Sequence, residues 1–130
     1  MLFCTMPKSV RNILVVDDSS TSTFLMESFL EENGYKVMVA EDGQKAINIL
    51  EQQTPDVVFL DLMMPKKSGF EVLTEIRSNQ KTKDIPVIII SAKTEQADIL
   101  KAKEIGATEY IYKPVDIDLA LNLLHKIETQ

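Results

Sequence analysis

Five short apolar runs punctuate the chain at residues 13–16, 37–39, 57–60, 87–90 and 110–112, and an amphipathic stretch follows each of them. Runs this short and this rich in β-branched residues suit strands, and the stretches between them suit helices, so the rhythm is β-α repeated five times. The runs are continuously apolar and do not alternate with polar residues. Such strands are covered on both faces, the condition of a parallel sheet with crossover helices. A doubly wound α/β sandwich is therefore expected.

The helical stretches carry start and stop signals of their own. Residues 20–33 begin with a Ser/Thr-rich lead, bring in Phe24, Leu25, Phe29 and Leu30, and end at Gly34. A second helix follows Asp42-Gly43, presents Ala46, Ile47 and Leu50 inward, and stops before Thr54-Pro55. A third starts near Gly69, with Gly69, Val72, Leu73 and Ile76 on one face. A fourth spans residues 95–105 before Gly106, and a fifth begins near Asp116 with Ala120, Leu123, Leu124 and Ile127 on one stripe. All these apolar stripes are read as core.

Length bounds the rest. With 130 residues, 45% of them hydrophobic, the chain has room for one domain, read as a tail over residues 1–10 and a folded unit over 11–130. The lone cysteine, Cys4, falls in that tail, permits no internal disulfide and suggests a reducing compartment. The opening Met1-Leu2-Phe3-Cys4 is too short for a signal-peptide core, and no apolar run approaches the roughly 20 residues that span a membrane. A cytoplasmic protein without membrane association is expected. A net charge of −6 argues against nucleic-acid binding, and Lys66-Lys67 and Lys81/Lys83 read as solvated loops.

In an open parallel sheet, ligands bind beyond the carboxyl ends of the strands. There the sequence places Asp17-Asp18 after the first run, Asp61 after the third, Ser91 after the fourth and Lys113 after the fifth. Each has an ordinary explanation: Asp18 as a cap of the first helix, Asp61 as a turn opener toward Pro65, Ser91 as a cap of the fourth helix, Lys113 as an ion-pair partner of Asp61. Together they are harder to dismiss, because clustered carboxylates repel one another unless a cation sits among them. Mg²⁺, a hard ion that takes one or two carboxylates, waters and phosphate oxygens, fits Asp17, Asp18 and Asp61. Lys113 adds a compact cation suited to a phosphoryl oxygen.

The segments Val15-Val16-Asp17-Asp18, Val58-Phe59-Leu60-Asp61-Leu62-Met63-Met64-Pro65, Ile90-Ser91-Ala92 and Tyr112-Lys113-Pro114 resemble the receiver domains of two-component response regulators, over residues 12–127. The likeness is to the chemotaxis-type, single-domain members. It implies a flavodoxin-like sheet of order 2-1-3-4-5 and a phosphorylation-activated signalling switch. In it Asp61 accepts a phosphoryl group from a phosphohistidine on a sensor histidine kinase or histidine phosphotransfer protein. It further implies that Asp17, Asp18, Asp61 and the backbone carbonyl of Met63 hold Mg²⁺, with Mn²⁺ as a substitute, and that Lys113 contacts the phosphoryl group through a segment with a cis Lys113–Pro114 peptide. Ser91 takes the position of the hydroxyl that turns toward the phosphoryl group, and Tyr110 that of the aromatic that swings inward behind it. A half-buried tyrosine at the sheet edge is the plainer account of Tyr110.

The same resemblance implies an output surface on the fourth helix, fifth strand and fifth helix, where Lys93, Lys101, Lys103, Tyr110 and His125 belong, read by a downstream effector protein. His125 has no acidic or metal-ligand partner nearby in sequence and is taken as a helix-surface residue. Met63 and Lys93 flank the expected path of water to phosphorus, and a thioether holds water poorly, so slow self-dephosphorylation is expected. The chain would catalyse only its own phosphorylation and dephosphorylation. An aspartate-nucleophile phosphohydrolase is disfavoured because Met63 stands where a second acid is expected, and a flavin carrier because Asp17 and Asp18 would oppose a flavin phosphate. A pseudo-receiver that only scaffolds contacts is the remaining alternative, as is an excised receiver in place of a stand-alone regulator.

Overall fold

The computed structural model describes residues 10–93 and 95–129. Cys4 and most of the expected tail lie outside the described residues. Strands β1 (Asn12–Val16), β2 (Lys36–Ala40), β3 (Val57–Asp61), β4 (Val87–Ser91) and β5 (Glu109–Tyr112) alternate with helices α1 (Ser20–Glu32), α2 (Gly43–Gln52), α3 (Gly69–Ser78), α4 (Gln96–Ile105) and α5 (Ile117–Glu128). The strands are all parallel in the order β2-β1-β3-β4-β5. The chain reverses its direction of travel across the sheet after β2, and the carboxyl ends of β1 and β3 flank that switch point.

Strand alternation divides the interior in two. Leu14, Val16, Val58, Leu60, Val87 and Ile89 pack with Ala46 and Leu50 of α2, Val72, Leu73 and Ile76 of α3, and Ala102 of α4. Ile13, Val15, Val57, Phe59, Ile88 and Ile90 pack with Met26 and Leu30 of α1 and Ala120, Leu124 and Ile127 of α5. Both faces of the central strands are therefore dry, which is why their sequences show no polar alternation. Side chains of period two along a strand then decide which layer each rim residue joins.

Local chemistry sets the helix starts. Ser19 caps α1, Asp42 caps α2 and Asp116 caps α5, each accepting an amide hydrogen bond on its side chain. Ser68 and Glu71 form a reciprocal capping box at α3. Glu95 precedes α4 without a side-chain cap bond.

Three expectations need correction. Phe24, Leu25 and Phe29 do not belong to the core: they are 66%, 50% and 39% exposed. The buried residues of α1 are Thr23, Met26 and Leu30, and at about 100° per residue Phe24 points well away from Met26. Val10, assigned to the tail, is buried, and its N–H donates to Oε2 of Glu128 at the end of α5. Asp61 and Ser91 are the last residues of β3 and β4, not the first residues beyond them.

Candidate functional site

The rim at the carboxyl ends of β1, β3 and β5 brings together Asp17, Asp61 and Lys113. Asp17 continues the Ile13-Val15 row of β1 and Asp61 the Val57-Phe59 row of β3, so both belong to the side of the sheet covered by α1 and α5. Asp17, Asp61 and Ser91 are buried, with exposures of 1%, 3% and 0%. Asp18 is exposed, and one carboxylate oxygen from each of Asp17, Asp18 and Asp61 lies within 4.8 Å of the others.

Every inner oxygen has a partner. The Nζ of Lys113 donates to Oδ2 of Asp17 at 2.7 Å and to Oδ2 of Asp61 at 3.1 Å. Oδ1 of Asp17 accepts from the Ser19 amide at 2.9 Å, and Oδ1 of Asp61 from the Met63 amide at 3.0 Å. Each carboxylate is thus aimed by its own backbone two residues on and by one shared ammonium. Burial pushes the Asp61 carboxyl above its ordinary value, outweighing the Met63 amide and Lys113, which favour the charged form. For Lys113 burial works toward the neutral amine, but the bonds to Asp17 and Asp61 prevail and raise its pKa.

The chemistry of this donor set suits a hard divalent cation. Three carboxylate oxygens within one small volume, next to the backbone of Met63, are the ligand type that Mg²⁺ selects. Lys113 offsets only part of the negative charge gathered there.

Gly69 was read from sequence merely as part of an apolar stripe, and it does more. A Cβ there would run into the Asp61 carbonyl oxygen and stand 2.6 Å from Cα of Leu62. The Gly69 amide donates to the Leu62 carbonyl at 3.1 Å, so the first turn of α3 rests directly on the backbone that carries Asp61. Only a residue without a side chain allows that approach. Its position at the first turn of α3, shortly after Pro65, was the available signal.

Ser91 and Tyr110 belong to the opposite layer. Tyr110 packs against the α2–α4 core, and its hydroxyl donates to the Lys93 carbonyl at 2.9 Å. The Lys93 amide donates to Oγ of Ser91 at 3.1 Å. Lys93 is thereby held from both sides, and the two expected switch residues are linked through its backbone. Burial raises the Tyr110 pKa and keeps the hydroxyl protonated as a donor. Tyr110 is half-buried, with its ring edge-to-face on Tyr112. Met63 is 51% exposed, Lys101, Lys103 and His125 are exposed, and the Lys113–Pro114 peptide is cis.

The chain belongs to the response regulator receiver domain family, whose description matches residues 13–125. It is 36% identical over 115 residues to the protein PilH of Pseudomonas aeruginosa, covering 88% of this chain and 95% of that one. It is 42% identical over 102 residues to the probable transcriptional regulator ycf27 of Guillardia theta, covering 78% of this chain but 39% of that longer protein. Among solved structures, chemotaxis protein CheY4 of Vibrio cholerae superposes with a TM-score of 0.86 at 28% identity, over 92% of this chain and 99% of that one. The receiver domain of the sensor histidine kinase PA1611 of Pseudomonas aeruginosa, described with a magnesium ion coordinated in its active site cleft, gives 0.85 at 25% identity, over 94% and 100%. Receiver domains are in general signalling domains and not enzymes that turn over outside substrates. No described helix is long and apolar enough to cross a membrane.

Proposed function

We propose that this chain is a phosphorylation-activated switch of a two-component system in which Asp61 is the phosphoacceptor. The observation that carries the reading is the placement of the buried Asp61 beside two further carboxylates and within 3.1 Å of the Lys113 ammonium. A lone ion pair needs no second and third acid, and a scaffold needs none of them.

In this reading Asp17, Asp18, Asp61 and the Met63 carbonyl hold Mg²⁺, which supplies charge neutralisation for an anionic phosphoryl group near a carboxylate nucleophile. A carboxylate oxygen of Asp61 attacks phosphorus in line, the new O–P bond forms, the P–N bond of a phosphohistidine breaks, and the imidazole leaves with the electron pair. Lys113 shifts from the carboxylates to a phosphoryl oxygen. Ser91 turns its hydroxyl toward the same group, releasing the Lys93 amide, and Tyr110 repacks. The new anion selects between two packings by its differential contacts with Ser91.

The folded unit over residues 11–130, extended inward by Val10, works in the cytoplasm. It receives phosphate from a sensor histidine kinase or a histidine phosphotransfer protein and signals through the surface of α4, β5 and α5. It catalyses no chemistry but the loading and loss of its own phosphate. Calorimetric titration with Mg²⁺ tests the metal reading: binding to the parent and its loss in Asp17→Asn support it, and equal heats in both proteins contradict it.

A further inference from the structure

We infer that residues 1–9, which lie outside the described residues, fold back along α1 and seat Phe3 and Met6 in the groove between α1 and the segment leading into α5. Helix α1 carries three large apolar side chains that the core does not use, Phe24, Leu25 and Phe29. Leu25 and Phe29 line a groove of about 170 Å³ with Pro114, Val115 and Ile117. That is below the roughly 300–1,000 Å³ of small-molecule sites and suits a few apolar side chains.

The occupant follows from where the described chain starts. Val10 is buried in the layer that holds α1 and α5, and its N–H donates to Oε2 of Glu128 at the end of α5. Residues 1–9 therefore leave the fold at one end of the α1–α5 crevice, and the groove lies at the other. From Glu128 back to Ile117 the crevice is about 17 Å long at 1.5 Å per residue, whereas nine extended residues span about 30 Å. Met6 and Phe3 can reach about 13 and 23 Å from Val10, which brackets the groove.

Pattern and charge agree with this path. Leu25, Phe29 and Glu32 stand at i, i+4 and i+7 of α1, one stripe that runs from the groove toward the end where Val10 lies. Phe3, Met6 and Lys8 offer two apolar groups and then a cation in the same order. The charge on α1 favours Lys8, since the helix carries Glu27, Glu31 and Glu32 and no basic residue. Pro7 disfavours helix at Met6 and keeps that stretch extended. A tether of this length also raises the effective concentration to roughly millimolar, so a few contacts suffice. Seated there, the segment covers the apolar arc of α1 beside Lys113, and any ligand of that face must displace it.

Cys4, the single cysteine, falls between Phe3 and Met6 and takes a nitroxide label without further substitution. Amide signals of the full chain, isotope-labelled and carrying the nitroxide, are compared with those after the nitroxide is reduced. Leu25, Phe29 and Val115 should lose most of their intensity to the nitroxide, while Leu50 and Ile76 in the opposite layer keep theirs. Phe3→Asp/Met6→Asp should restore the lost signals, and so should Leu25→Asp/Phe29→Asp, with circular dichroism verifying the fold. Uniform attenuation, none on α1, or attenuation that survives both variants overturns the inference. In a mixture of isotope-labelled chains without nitroxide and unlabelled chains with it, no signal should fade; fading at Leu25 and Phe29 there would mean that a second copy fills the groove and would overturn the inference as well.

Discussion

The ammonium of Lys113 lies closer to Asp17, at 2.7 Å, than to Asp61, at 3.1 Å. It bridges carboxylates at the ends of two neighbouring strands, and it leans on the one that is not the proposed acceptor. The bridge leaves Asp61 a buried acid whose charged form is only partly compensated.

That imbalance has a sign. Burial raises the Asp61 pKa above 3.8, so the folded chain holds this proton more tightly than the unfolded one. Without metal, the group's contribution to stability is complete below the ordinary carboxylate value and is lost as pH rises through the raised folded value. Mg²⁺ needs the deprotonated form, so its stabilising effect should grow over the same rise. Asp61→Asn should melt higher than the parent in metal-free buffer at neutral pH, by roughly 0.5–2 kcal/mol, and should lose most of the Mg²⁺ response. Thermal melts across pH, with and without Mg²⁺, check both statements; a parent more stable than Asp61→Asn without metal would refute them.

Gly69→Ala should cost about 1–3 kcal/mol, the usual range for overpacking, because its Cβ would meet the backbone of Asp61 and Leu62. The strain falls on the strand end that aims the carboxylate. Urea unfolding should show the loss, and acetyl phosphate loading should slow in the folded fraction as well.

How much of this was legible in the sequence follows from which forces act locally. The strands themselves and the rim residues could be read because apolar runs and the Asp, Ser and Lys at their ends are local signals, whereas the order of the strands came only from the family resemblance, since pairing between strands is not local. The second role of Gly69 could not, since a close approach between α3 and β3 leaves no mark but the glycine itself. The outward apolar arc of α1 was misread for a different reason: Met26 outcompetes Phe24 and Phe29 for the core, and phase along a helix shows only once the sheet is in place.

Tyr110→Phe removes the hydroxyl that donates to the Lys93 carbonyl at 2.9 Å. Losing one such bond should cost roughly 0.5–1.5 kcal/mol, and the loosening should appear as faster amide exchange around Lys93 and the start of α4. Exchange spread evenly over the molecule would contradict a latch confined to that loop.

Met63 is half exposed beside Asp61, the proposed acceptor, and its side chain offers only a thioether to an approaching water. Met63→Asn supplies a donor and an acceptor at that position and should hasten loss of phosphate from the loaded protein, measured as the decay of the phosphorylated form after removal of the donor. Equal decay in both proteins would place the rate control elsewhere.

Mass spectrometry of the protein after incubation with acetyl phosphate is the most direct examination of the phosphoacceptor assignment. The expected result is one added phosphoryl group, Mg²⁺-dependent, on the peptide containing Asp61, and absent in Asp61→Asn. A protein that stays unmodified, or one that takes phosphate at another residue in both the parent and Asp61→Asn, would contradict it.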